Sequence, residues 1–307
     1  MATLSNVLVY HWRAWPGFLI SHLVDKSNQL PARYEDDISQ FEQALTANIK
    51  AVLLQINLSR SEHFPELRSQ LISDLQQRGL LVLNQFVGDI TKHNLHKMLH
   101  AAEVPNVKVP QQGDGDEWLF VKTNLNWGGE IEQSLPTALL PRFSDSSPRT
   151  LQRHNQYYKR QRKNLAPSLW QDDSVVIEKY IDNPEDSFYR VYAFGNAVVV
   201  VKAHSKDLVK KISGDDRDCN YFYRRDQIIN DKTQLPVNLQ HTIAQFLRNI
   251  RLDYFCLDIV HNQTDYYVID LNLTPYAGIK DQTTEATEYL IAGANDYIDR
   301  HFAANSK

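Results

Sequence analysis

Short, wholly apolar runs alternate with amphipathic stretches over the first ninety residues. Residues 6–10 (NVLVY), 51–56 (AVLLQI) and 80–83 (LLVL) are short, and the first and last lack polar alternation, which predicts strands buried on both faces. Between them, residues 16–24 and 38–48 (ISQFEQALTAN) have helical spacing. Residues 66–78 place Leu67, Leu71, Ile72 and Leu75 on one stripe, and Gly79 then stops the helix. Strand–helix alternation of this kind predicts a parallel sheet covered by helices, a small Rossmann-like unit over residues 1–90. It carries no G-x-G-x-x-G, so a dinucleotide site is not supported.

The pattern changes further on. Residues 91–102 predict a helix with Thr91 as N-cap, and residues 104–110 are extended. A turn-rich QQGDGDE loop precedes the strand WLFVK at 118–122, and TNLNWGGE forms a polar loop ending in Gly128-Gly129. Residues 140–150, rich in Pro and Ser, read as an exposed connection. Strands follow at 175–181, 188–194 and 197–203, the last two joined by a Gly195-Asn196 turn. A helix over 235–250, strands at 255–260 and 266–271 with HNQTD as hairpin loop, and a helix over 284–302 complete the chain. The expected class is α/β followed by antiparallel-rich α+β. Its units are 1–90, 91–174 and 175–307.

Chemistry concentrates in the last hairpin. Asp258 lies on one apolar run, and Asp270 and Asn272 lie on the next. Side chains two apart on a strand share a face, so Asp270 and Asn272 point the same way, and strand pairing can bring Asp258 alongside. Two carboxylates and an amide oxygen suit Mg²⁺, which takes one or two carboxylates plus substrate phosphates; the plainer reading is two polar strand faces meeting solvent. Lys122 ends a strand just before the Gly128-Gly129 loop, where flexible backbone can approach phosphates, although GxxxxGK[ST] is absent. Glu178 and Lys179 sit inside the apolar run VVIEKYI, where a strand edge plus a carboxylate can read an adenine amino group. Asp186 and Arg190 flank the start of RVYAFGNAVVVVKA, and Lys210-Lys211 follow those strands. Each signal alone is weak, because a lone strand lysine is usually a solvated edge charge.

Their order resembles the ATP-grasp superfamily, of the glutathione synthetase ATP-binding type, over residues 91–278. TKHNLHKMLHAAEVP is similar to the family's first lysine segment and EWLFVKTNLNWGGE to its second lysine strand with glycine loop. VVIEKYI matches the adenine hinge, FYRVYAFGNAVV the arginine hairpin, and LDIV with VIDLNLTP the metal strands. The resemblance implies an ATP-grasp fold behind an N-terminal preATP-grasp unit. It implies ATP and Mg²⁺ as cofactors, with two ions and with Mn²⁺ as an alternative metal. The nucleotide would be held by Lys92, Lys122, Gly128, Gly129, Glu178, Lys179, Tyr180, Ile181 and Asp186. Asp258, Asp270 and Asn272 would be metal ligands, and Arg190 and Lys210 catalytic. The implied activity is ligation of a carboxylate, activated as acyl phosphate, to an amine; the alternatives are phosphotransfer without ligation and a degenerate nucleotide sensor. Partners would be small-molecule or peptide carboxylates and amines, and many such enzymes look like homodimers. The chain departs from the family pattern in three places: Asp270 where Glu is usual, Phe188 where an Asp usually precedes the arginine, and a glycine loop that is sparse and carries Trp127.

Composition narrows the picture. A net charge of −4 gives no global basic field for nucleic acid. Two distant cysteines, Cys219 and Cys256, form no disulfide framework. The N-terminus has neither signal-peptide character nor a membrane span, so the expectation is a soluble cytoplasmic protein. His96 and His100 are i, i+4 on one helix but lack HExxH and a third ligand. The basic segment 157–163 (YYKRQRK) reads as solvated, and 221–226 (YFYRRD) has no assigned role. His11-Trp12-Arg13-Ala14-Trp15 follows the first strand, where open α/β sheets place ligand contacts; helix packing explains its tryptophans nearly as well.

Overall fold

The computed structural model describes residues 3–12, 15–32, 41, 43–63, 68–136, 151, 153–210, 217–276 and 284–305. The expected connection at 140–150, Lys211, and parts of the expected helices at 38–48 and 66–78 lie outside these.

The first sheet is parallel, in the order β2-β1-β3-β4, built from β1 (Val7–Trp12), β2 (Gln29–Ala32), β3 (Ala51–Ile56) and β4 (Leu81–Leu83). Every residue of β1 and β3 is buried, which explains their mostly apolar character, broken only by His11 and Gln55. β2 escapes sequence reading because QLPA is short and contains Pro31. An edge strand tolerates that proline.

The largest sheet is antiparallel, in the order β10-β9-β8-β11-β12. It comprises β8 (Ser187–Phe194), β9 (Ala197–His204), β10 (Arg217–Arg224), β11 (Tyr254–His261) and β12 (Tyr266–Asn272). The β8–β9 turn needs Gly195, at φ +55°, because a Cβ there would sit 2.6 Å from the Gly293 carbonyl of the helix Thr284–Asn305. A third sheet, β6-β5-β7, joins β5 (Trp118–Thr123) to β6 (Tyr158–Gln161) and β7 (Val175–Lys179). The segment read as solvated thus supplies an edge strand, and the segment without a role supplies much of β10. Both edges carry the charges that discourage further pairing.

Two apolar layers sandwich the large sheet. On one face Val7, Val9 and Leu53 of the parallel sheet, with Leu290, Ile291 and Ala294 of the last helix, pack on Tyr192, Phe194, Val199 and Val201. On the other, Leu95 and Leu99 of the helix Lys92–Ala101 and Ile243 and Phe246 of the helix Val237–Asn249 pack on Val191, Val200 and Leu257. Asn84, with φ +54°, clasps the parallel sheet to β11. Its backbone N–H donates to Asp253 Oδ2 (2.8 Å) and its amide to the Tyr254 carbonyl (2.5 Å). Its Oδ1 accepts from Asp253 N (2.8 Å) and Tyr254 N (3.0 Å).

Candidate functional site

The antiparallel register lines up three charged residues across three strands. Asp258 on β11 stands opposite Arg190 on β8 and opposite Asp270 on β12. Directly opposed residues share a face, so the hairpin expectation is met, and the arginine joins the same row. Arg190 holds Asp258 in a two-pronged grip, Nε to Oδ1 at 2.6 Å and Nη2 to Oδ2 at 2.9 Å. Burial opposes the guanidinium charge, but Asp258 outweighs it and Arg190 stays firmly protonated.

Asp270 is bound to Lys92, which begins its helix just after the Thr91 cap. The Thr91 hydroxyl accepts from Asn94 N, as the sequence suggests. Lys92 Nζ also donates to Asn126 Oδ1, and Asn126 Nδ2 reaches Asn272 Oδ1 (3.4 Å). Burial, chiefly, pulls the Lys92 pKa below its ordinary value; Asp270 pushes it back up and Lys122 lowers it further.

Glu178 forms the second cluster. Its carboxylate meets Lys122 Nζ at 2.9 Å and His96 Nε2 at 2.8 Å, and Lys122 also donates to the Ile269 carbonyl of β12 (2.8 Å). All three side chains are almost fully buried. Burial alone would raise the Glu178 carboxyl, yet Lys122 and His96 together hold it below the ordinary carboxylate value. His96 is therefore engaged by Glu178, and among the described residues no group of three His, Cys, Asp or Glu gathers for a metal.

The glycine loop is held by its own chain. Trp127, Gly128 and Gly129 all have positive φ (51°, 71° and 71°). A Cβ at Gly128 would lie 2.5 Å from the His154 nitrogen, so the loop is pressed against residues 153–154. Gly128 N donates to the Tyr157 hydroxyl (3.3 Å), which also bonds Thr123 Oγ1 (2.6 Å). Burial raises that phenol to about 12. Trp127 stacks on His154 at 4.2 Å.

The remaining expected residues spread out. Lys179 is exposed, with its N–H on the Val107 carbonyl (2.8 Å), and Tyr180 N donates to the Trp118 carbonyl (3.0 Å), both beside the Glu178 cluster. Ile181 is buried with Phe188 in a small apolar cluster. Asp186, at φ +54°, and Lys210 sit together at the far side of the β8–β9 hairpin. Lys210 Nζ donates to the Ser205 carbonyl (2.6 Å), and no described contact joins it to the Arg190 row. Sequence reading missed Asn126, Tyr157 and the role of His96. Asn126 lay in the quoted loop, but nothing local marks it as a bridge between Lys92 and Asn272.

Both Asp258 oxygens are taken by Arg190, while the Asp270 side chain keeps 30% of its exposure. Asp270 and the Asn272 amide oxygen therefore fit a hard cation, Mg²⁺ or Mn²⁺, with the remaining positions left to phosphate and water.

No family model and no curated protein matches the chain. Its architecture does have counterparts: the chain has the ATP-grasp fold, and solved structures match it over nearly its full length. D-alanine–D-alanine ligase from Bacillus anthracis is 14% identical with a TM-score of 0.51, covering 98% of this chain and 100% of that one. D-alanyl-alanine synthetase A from Vibrio cholerae is 10% identical with a TM-score of 0.50 and the same coverage. A RiPP-associated ATP-grasp ligase from Chryseobacterium gregarium, solved with ADP and a leader and core peptide, is 13% identical with a TM-score of 0.48, covering 97% of each chain. Among the described residues no helix is long and apolar enough to cross a membrane.

Proposed function

We propose that the chain is an ATP-dependent ligase of the cytoplasm that activates a carboxylate as an acyl phosphate and joins it to an amine, releasing ADP and phosphate. The observation that carries this reading is the row Arg190–Asp258–Asp270, with Lys92 and Lys122 brought to its β12 end from separate elements. Lysines beside a carboxylate–amide pair suit a nucleotide's phosphates and the ion that accompanies them.

ATP would supply the phosphoryl group and Mg²⁺ the positive charge over its phosphates. Asp270 and Asn272 would hold the ion. Lys92 and Lys122 would hold phosphate oxygens; Lys92 would turn from Asp270 toward them as the ion takes over that carboxylate. Arg190, fixed in orientation by Asp258, would stabilise negative charge on the transferring group and on the tetrahedral adduct with the amine. Backbone N–H groups of Gly128 and Gly129 would close over the phosphates after release from Tyr157, excluding water from an acyl phosphate that would otherwise hydrolyse.

A second reading, a nucleotide sensor without turnover, is favoured by one observation: Lys92 and Asp270 already satisfy each other, and the Gly128 N–H is already bonded. Calorimetry of ATP binding with and without Mg²⁺ tests both. Asp270→Asn is the suitable control, because an alanine would remove one of the two acceptors of the buried Lys92. Mg²⁺-dependent binding lost in that variant, followed by ADP release needing both an acid and an amine, supports the ligase. Binding without release under any acid and amine pair supports the sensor, and release with the acid alone supports a phosphotransferase. No binding at millimolar ATP would sink all three.

A further inference from the structure

Two buried polar side chains lie outside everything assigned above. His11 and Gln55 stand near the carboxyl ends of β1 and β3, opposite one another in register, each 1% exposed. Among the described residues, His11 Nε2 and both amide atoms of Gln55 have no hydrogen-bond partner. Burying three unsatisfied polar atoms on adjoining residues is unfavourable, and an apolar pair would avoid it. The rest of that face is apolar: Val7, Val9, Ala51 and Leu53 pack with Tyr192 and Cys256 of the large sheet. Among the described residues no ion pair engages the imidazole. Burial alone brings its pKa down to about 4, so the ring is neutral at physiological pH.

Both strand ends lead directly to the phosphate-side row. β3 runs on to Asn57, whose Oδ1 accepts from Thr274 Oγ1 (3.1 Å), and to Ser59, whose Oγ accepts from Asn126 N (2.9 Å). Thr274 is two residues past Asn272, and Asn126 bonds Lys92. On the β1 side, His11 lies 5.6 Å from the Phe18 ring, Phe18 bridges to Tyr276, and Leu19 N donates to the Pro275 carbonyl (2.9 Å). Trp15 stacks on Tyr276 at 4.8 Å, and both rings remain exposed. In open α/β sheets, ligands are read outside the carboxyl ends of the strands.

We infer that His11 and Gln55 determine specificity by hydrogen-bonding an uncharged group of the substrate, a peptide amide or carboxamide, at the ends of β1 and β3. The inference rests on the ligase reading for the adjoining row. A neutral imidazole and a carboxamide together offer donors and acceptors that match an amide's N–H and C=O. A free ammonium or carboxylate placed between these two side chains would be desolvated, and neither of them carries a charge to offset it. The substrate end bound there therefore belongs to a peptide or an amidated compound, and a zwitterionic amino acid is rejected.

The test is a melting-temperature titration of the full chain with Mg²⁺ and a non-hydrolysable ATP analogue, comparing N-acetyl-alanyl-alanine with alanine. The peptide is expected to raise the melting temperature of the wild type, and alanine is not. Gln55→Met and His11→Phe are each expected to melt higher than wild type without ligand, yet to need at least about tenfold more peptide for the same shift. Gln55→Met conserves volume and serves alone if His11→Phe does not fold. Equal protection by alanine, no protection by the peptide, or unchanged peptide binding in Gln55→Met would overturn the inference; in the last case the orphaned atoms hold only water. Protection by the peptide with no ADP released from Mg·ATP when amines are supplied together with the peptide would keep the inference and bring down the ligase reading instead.

Discussion

Two clusters of charge meet where the small sheet touches β12, and they are finished differently. Glu178, Lys122 and His96 are buried together, and the Glu178 carboxylate is shared between a lysine and an imidazole. Asp270, by contrast, keeps part of its surface in water and is tied to a lysine that has another acceptor in Asn126. The closed cluster ties the small sheet to the helix Lys92–Ala101. A half-open one can exchange a protein partner for a ligand, because the group it releases is met by water or by the incoming charge.

The largest effect is expected from opening the closed cluster. Glu178→Gln leaves Lys122 and His96 buried without an anion and should cost about 3–5 kcal/mol, read by urea denaturation. A loss under about 1 kcal/mol would mean that the cluster is wet. Next, Arg190→Ala should reduce turnover by about 10²–10³-fold while ATP affinity changes little. Near-normal turnover would remove Arg190 from the chemistry.

Acid should separate the two clusters further. The folded Glu178 carboxyl titrates below its ordinary value of 4.5, so its contribution is complete above that value and fades as the pH falls through the depressed one. The stability gap between wild type and Glu178→Gln should therefore shrink below pH 4.5 and hold steady above it. A gap that first shrinks on the alkaline side would contradict that sign. The smallest effect concerns the loop that bridges the comparison. Gly128→Ala requires a left-handed alanine and a shifted His154, a loss of about 1–3 kcal/mol by thermal denaturation. An alanine tolerated without loss would show that the loop is not pressed on residues 153–154.

The hairpin bearing the candidate metal ligands was readable because a strand has a period of two and its loop is short. Asp258, Asp270 and Asn272 had to share a face once the register was set. The Thr91 cap made the start of the helix readable, whereas Lys92 entered only through the resemblance of its segment. β6 and β10 were not readable, because edge strands accept the charges and tyrosines that sequence reading assigns to solvent. The partners of Glu178 and Asp270 were equally hidden: His96, Lys122 and Asn126 come from three separate elements, and no local pattern encodes their meeting. Lys210 follows the hairpin closely in sequence, and its ammonium donates to the Ser205 carbonyl.

Asn84 has a mechanical consequence. One side chain and its backbone bind two successive residues at the start of β11 through four hydrogen bonds, and Tyr297 braces Asp253 from the last helix (2.7 Å). The parallel sheet and the large sheet therefore behave as a single anvil. The small sheet has its own apolar core and meets this anvil at β12, where Lys122 donates to the Ile269 carbonyl.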